Sequence, residues 1–259
     1  MRTAFLLSGE HPEIPKEEVK ATLEALNVRY ETIGEMKSCL LLDLEPFEGL
    51  FRILSERLSF TRSFGKLLGL FHCSEFPRAL SELETTLISG RFRVTCVRVE
   101  RSCEWIERKD VEERIGGWVI DNNEGAKVDL EDPEIEIIAV ITSDHIVVYL
   151  KEGEVDRSLF KVKEVSARPY VHPASMRPTL ARAMVNLART RRGDLVLDPF
   201  LGVGGIALEI LSVGARLIGV DINEKLVIQA KNNLMTYGFL DGYELQVGDA
   251  LSLELEGCV

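Results

Sequence analysis

The stretch Leu195-Val196-Leu197-Asp198-Pro199-Phe200-Leu201-Gly202-Val203-Gly204-Gly205-Ile206-Ala207 decides how the second half of the chain is read. A short apolar run ends in an acid, a glycine-rich turn follows, and an apolar helical pattern opens at once. That order describes a buried strand feeding a helix through a turn where a ligand lies against bare backbone. Downstream the pattern repeats: GIALEILSVG (205–214) is a helix, ARLIGVDI (215–222) a strand, NEKLVIQAKNNLMTYG (223–238) a helix and YELQVGD (243–249) a strand. Residues 177–190 add a helix in front. Strand and helix alternating at this spacing predict βαβ units and a parallel sheet, an α/β arrangement of partial Rossmann type.

Upstream the rhythm differs. TAFLLS (3–8) and SCLLLDLE (38–45) read as strands, and Pro15 and Pro46 open the helical stretches KEEVKATLEALNV and PFEGLFRILSER. FPRALSELETTLI (76–88) reads as a helix, RFRVTCVRVE (91–100) as a strand and KDVEERIGGWVID (109–121) as a helix. EIEIIAVITSDHIVVYLK (134–151) is a hairpin turning at Ser143-Asp144. This is an α+β half, divided at residues 1–55 and 56–164. VSARPYVHPASMRP (165–178), with three prolines and no period, reads as a linker to a last module at 179–259.

The charge is segregated. The 31 basic and 42 acidic residues give −11, yet residues 166–259 hold 9 basic and 10 acidic side chains, so nearly all of the excess acid lies upstream. Asp121 to Glu136 holds seven acids against Lys127, whereas Arg91 to Lys109 holds six cations and three glutamates. A protein coated in positive charge is excluded; a local phosphate-binding face is not. No apolar run reaches the roughly 18 residues of a membrane helix, and Met1 opens directly into a strand, so a cytoplasmic protein with no membrane partner is expected. Five cysteines with no C-x-x-C pair (Cys39, Cys73, Cys96, Cys103, Cys258) read as reduced, mostly buried thiols. No metal site is expected.

Asp198 carries the chemical reading. Gly202-x-Gly204-x-x-Ala207 also fits a dinucleotide fingerprint, and Asp221, 17 residues after Gly204, stands where a carboxylate holds ribose hydroxyls. A carboxylate four residues before the first glycine would repel a pyrophosphate. It suits a ligand with an amino group and a sulfonium, namely S-adenosylmethionine. A nicotinamide-dependent oxidoreductase and a glycine turn that binds nothing stay open as rivals.

The run RPYVHPASMRPTLARAMVNLA (168–188), followed by VLDPFLGVGG (196–205), resembles the tRNA (guanine-N2)-methyltransferases that modify guanine 10. The resemblance implies that His172, Pro173 and Ser175 line the donor site. It implies that Asp198, Phe200, Gly202 and Gly204 form its methionine end, that Asp221 holds the ribose, and that Asp249 and Ala250 lie by the adenine, with Ile222 a further cofactor-binding candidate. Leu201 and Val203 stand where the family usually has Cys and Thr. Residues 91–101, 115–120 and 127–136 are similar to the THUMP domain, an RNA-binding module normally preceded by a ferredoxin-like domain. It implies tRNA as partner, with Arg91, Arg93, Arg98, Arg101, Arg108 and Lys109 as phosphate contacts. Arg182, Arg189, Arg191 and Arg192, beside the linker, are candidates for the tRNA body, and a helix C-terminus also attracts cations. From composition alone a solvated strand edge with ion pairs is the simpler reading of the first cluster, and the THUMP resemblance is what favours phosphate contacts.

Family members act on the guanine amine with a D-P-P-Y type motif, and no Pro-Pro pair occurs among the nine prolines. No catalytic residue is therefore assigned, and the motif is expected in a missing segment or a complementing subunit. A non-catalytic tRNA-binding scaffold subunit is the rival from another class.

Overall fold

The computed structural model describes residues 1–85, 88–99 and 101–253. They form two compact units that do not follow chain order: residues 1–16, 28–52 and 61–154 in one, residues 17–27, 53–60 and 155 onward in the other.

The first unit is built on one mixed eight-stranded sheet. Its strands are β1 (Arg2–Leu7), β2 (Tyr30–Glu35), β3 (Cys39–Leu44), β4 (Thr61–His72), β5 (Gly90–Arg98), β6 (Ala126–Val128), β7 (Ile135–Thr142) and β8 (His145–Glu154), in the order β2-β3-β1-β4-β8-β7-β5-β6. Strands from both sides of residue 55 thus share one sheet. Helix α1 (Ile14–Ala25) follows β1, and α2 (Leu50–Arg57) follows β3; the chain from Pro46 to Gly49 precedes the helix instead of opening it. Ser143, at φ 50°, turns the β7–β8 hairpin where the sequence placed it. Phe92 and Cys96 of β5 join Ile115 and Val119 of α4 (Arg108–Asn122) in one apolar core.

Two elements depart from expectation. The helix read over residues 76–88 is only α3 (Phe76–Ala79) and a 3-10 turn at Leu80–Glu82; Thr86 and Leu87 lie outside the described residues. Strand β4 is absent from the sequence reading although it sits mid-sheet. Its register against β8 shifts at Phe64/Gly65 and again at Leu67/Gly69, so the two-residue alternation loses phase. Gly65 is obligatory there, since a Cβ would lie 1.8 Å from the Leu150 carbonyl oxygen.

The cysteine reading is corrected. Cys73, just past β4, and Cys103, beyond β5, form a disulfide across 30 residues of sequence. Only tertiary structure brings their Cα atoms to 6.3 Å. Cys39 and Cys96 are buried free thiols, and burial pushes the Cys96 thiol up to about 12. Cys258 lies outside the described residues.

The second unit contains α5 (Ser158–Lys161), α6 (Pro178–Leu187), β9 (Leu195–Asp198), α7 (Gly205–Ser212), β10 (Arg216–Asp221), α8 (Glu224–Thr236) and β11 (Tyr243–Val247). Its strands are parallel in the order β11-β10-β9, the 3-2-1 half of a Rossmann-like sheet. Leu208, Leu211, Leu217, Ala230 and Leu234 form its core. A buried polar network runs beside it. The Glu18 carboxylate accepts from the Ser59 and Phe60 amides and from Asn186 Nδ2, at 2.8–2.9 Å. Glu209 holds Lys163 and Arg182, each at 2.8 Å. Among the described residues no helix is long and apolar enough to cross a membrane.

Candidate functional site: an acid-floored cavity at the glycine turn

Strand β9 ends at Asp198 and α7 begins at Gly205, so the six residues between them must reverse direction tightly. Gly202 and Gly204 do so at φ 54° and 81°, where a side chain is strained. Gly204 also faces Ala230 of α8, and a Cβ there would approach it to 3.3 Å. The glycines therefore serve backbone geometry and close helix packing together.

The turn walls a cavity of about 270 Å³ lined by His172, Ser175, Asp198, Phe200, Gly202 and Leu226, among others. Five residues singled out from sequence thus meet here. Leu201, Val203, Gly205, Ile206, Ala174 and Met176 also line it. Leu201 and Val203 were noted only as departures from the family pattern; the other five apolar or backbone contributors, Leu226 included, were missed because nothing in their chemistry marks them before the turn is folded.

Asp198 is 6% exposed, and burial, followed by the nearby Asp221 charge, raises its pKa while the Phe200 amide lowers it. Its Oδ1 accepts that Phe200 N–H at 3.3 Å. Its Oδ2 is buried with no hydrogen-bond partner among the described residues. A buried carboxylate oxygen without a donor is costly, and a cationic ligand group at the cavity floor would satisfy it. A pyrophosphate would meet the opposite field.

Asp221, at the end of β10, is one contact behind the cavity wall. Its Oδ2 accepts the Gly202 N–H at 2.8 Å and its Oδ1 the Asn223 N–H at 2.9 Å. Next to it, Ile222 is three-quarters exposed. The Gly248 N–H bonds the Asp221 carbonyl at 3.0 Å, which draws the end of β11 to the end of β10. Asp249 follows and caps the short turn at Ala250–Ser252 through the Leu251 N–H at 3.0 Å. Three acid-tipped strand ends therefore lie along one sheet edge. Pro173, Gly204, Asp221, Ile222, Asp249 and Ala250 are outside the cavity lining itself. Phe200 is 78% exposed at the rim.

The cationic candidates separate sharply. Arg91 pairs with Asp132 at 2.8 Å and Glu134 at 3.3 Å, and Arg93 with Glu136 at 2.8 Å. Arg98 donates to the carbonyls of Ser102, Cys103 and Ile106, which pins the chain after β5. All three have partners within the chain. Arg101 and Arg108 are exposed, and Lys109 pairs with Glu113 one helical turn on at 3.5 Å. Arg189 pairs with Glu24, while Arg191 and Arg192 are exposed. Arg182 is not a surface cation: it is 3% exposed and bonded to Glu209. Among the described residues no group of three metal-ligating side chains occurs.

Known proteins bear on this geometry. Residues 166–259 match the RMKL-like, methyltransferase domain family, and residues 78–151 match the THUMP domain. The tRNA (guanine(10)-N2)-dimethyltransferase of Methanothermobacter thermautotrophicus is 31% identical over 257 residues, covering 99% of this chain and 74% of its own length. That of Pyrococcus abyssi is 34% identical over 251 residues, covering 95% of this chain and 71% of its own. The solved structure of SMU.472 complexed with SAH superimposes with a TM-score of 0.53 at 14% identity, over 98% of this chain and 77% of that one, a likeness of fold. A THUMP module followed by a Rossmann-like methyltransferase fold, at this identity and coverage, places the chain in the tRNA (guanine(10)-N2)-dimethyltransferase family.

Proposed function

We propose that this protein binds S-adenosylmethionine at the β9–α7 turn and takes part in methylating the exocyclic N2 of a tRNA guanine, position 10, in the cytoplasm. The observation that carries the proposal is Asp198: a buried carboxylate with one oxygen unpartnered, facing a cavity walled by a glycine turn. Such a floor attracts the donor's ammonium and repels a dinucleotide's phosphates. In this reading His172, Pro173, Ser175, Phe200, Gly202 and Gly204 enclose the methionine end, Asp221 receives the ribose hydroxyls, and Ile222, Asp249 and Ala250 meet the adenine.

The THUMP part at 56–164, whose strands share one sheet with those of residues 1–55, would bind tRNA, with 165–178 as connector. Arg101, Arg108, Arg191 and Arg192 are the first candidates for phosphate contacts; Lys109 would first have to leave Glu113. Arg91, Arg93, Arg98 and Arg189 would have to exchange an existing partner for a phosphate. Such contacts make affinity fall steeply with salt.

The donor holds its reactive methyl on sulfonium. Attack by a guanine amine needs the base out of its stack and its lone pair localised by proton acceptors. Those acceptors are assigned to no residue here. If a complementing subunit supplies them in trans, methyl transfer appears only when that subunit is added; transfer by the chain alone would end that part of the proposal. Calorimetry with S-adenosylmethionine, NAD and tRNA tests the core of it. Binding of donor and tRNA without NAD is the expected result. A chain that binds tRNA but ignores the donor is a scaffold, and a chain that binds NAD in preference is an oxidoreductase.

A further inference from the structure

The cavity has one wall that belongs to neither strand nor helix. His172, Ala174, Ser175 and Met176 come from the irregular segment before α6, whose own hydrogen bonds are local: Ser175 N–H to the His172 carbonyl at 2.8 Å, His172 N–H to Ser175 Oγ at 3.0 Å. A segment of this kind has no ladder to fix its position. Its main tie to α8 is one residue, Asn233. The Asn233 side chain, fully buried, accepts the Tyr170 N–H on Oδ1 at 3.0 Å and donates from Nδ2 to the Tyr170 carbonyl at 2.9 Å. The same Nδ2 donates to the Val203 carbonyl, also at 2.9 Å, inside the glycine turn. One amide therefore clamps both lips of the cavity to the same helix.

A second contact sits two residues earlier. Arg168 is 5% exposed, donates from Nε to the Lys163 carbonyl at 3.0 Å, and places Nη1 3.0 Å from where a Gly205 Cβ would stand. Gly205, the first residue of α7, is thus the socket into which the arginine is keyed.

We infer that Asn233 is a positioning residue for the donor: it sets the separation between the 170–176 strap and the Gly202–Gly204 turn, with Arg168 in the Gly205 socket as the second fixing point. The inference rests on the donor reading of the cavity. Asn233 is not itself in the cavity lining; it holds the backbone of Val203, which is, and of Tyr170, which leads into the strap, so its effect on affinity is geometric. Only a side chain with both an acceptor and two N–H groups on one planar amide can serve three backbone atoms at once.

The experiment compares Asn233→Ala with Leu234→Ala, its neighbour on α8 buried in the apolar core. Calorimetry with S-adenosylmethionine reads the cavity, and amide hydrogen exchange over residues 170–176 without donor reads the strap. Loss of three hydrogen bonds should make Asn233→Ala roughly tenfold or more weaker for donor and at least about tenfold faster in strap exchange. Leu234→Ala, with a comparable drop in Tm, should keep donor affinity and strap exchange within about threefold. Equal losses in both variants, or unchanged exchange in Asn233→Ala, overturn the inference. If Asn233→Ala does not fold, Tyr170→Pro removes one of the three bonds from the strap side, and an effect below about twofold on donor affinity, against about fivefold expected, overturns it equally. A wild-type chain that ignores the donor sinks the proposed function, while the exchange readout still decides the strap.

Discussion

Asp198→Asn changes one atom, the Oδ2 that has no hydrogen-bond partner among the described residues, and leaves Oδ1 to accept the Phe200 N–H as before. In the free protein the change removes a buried charge. Burial raises the Asp198 pKa, so the acid's contribution to stability is fully present below its unfolded pKa and is lost as pH rises through its folded pKa. Near neutral pH the carboxylate is therefore a net cost. Replacing it with a neutral amide of the same shape should stabilise the free protein by about 1 kcal/mol, the scale of an unsatisfied buried group. For a chain of this size that raises Tm by roughly 2–4 °C. The gain should shrink as pH falls and wild-type Asp198 takes up a proton. Donor binding should move the other way. An ammonium on a buried carboxylate contributes about 2–3 kcal/mol, so Asp198→Asn should weaken S-adenosylmethionine roughly 30- to 150-fold. Thermal unfolding at pH 4.5 and 7.5 and calorimetry at pH 7.5 read both limbs at about those conditions. A variant that is less stable at neutral pH, or that binds donor within about threefold of wild type, would refute the role given to Asp198.

Further outcomes concern the scaffold. Glu209→Ala leaves Lys163 and Arg182 buried without their shared carboxylate, and should lower unfolding free energy by about 3–5 kcal/mol in urea titration. Reducing the Cys73–Cys103 bond, or the Cys73→Ser/Cys103→Ser pair, frees a 30-residue separation and should cost about 3–4 kcal/mol at most by chain entropy, read as a lower denaturant midpoint. Gly65→Ala forces a Cβ against the Leu150 carbonyl and should lose about 3 kcal/mol or more, with circular dichroism showing whether the sheet still forms.

The resemblance to a THUMP-bearing methyltransferase was legible because its signals are local. A strand ending in Asp198, a turn needing positive φ at Gly202 and Gly204, and a helix opening at Gly205 are each dictated by neighbouring residues. The alternation that follows sets the parallel order β11-β10-β9 by the same short-range logic. Where two-residue or helical periods were intact, as at β1, α4 and the β7–β8 hairpin, the elements fell where expected.

What the sequence alone determined, then, is the glycine turn, its acid and the order of modules, since those depend on contacts within a few residues. Tertiary structure decided the rest. Strand β4 needed its partners, because its bulges erase the period that would announce it. Arg91, Arg93, Arg98 and Arg182 read alike as cations; only folding showed the first three held by acids or carbonyls and the last buried on Glu209. The Cys73–Cys103 bond and the Asn233 clamp join residues 30 and 63 positions apart. No local pattern records such a pairing, because the distance that makes it exists only once the chain has closed on itself.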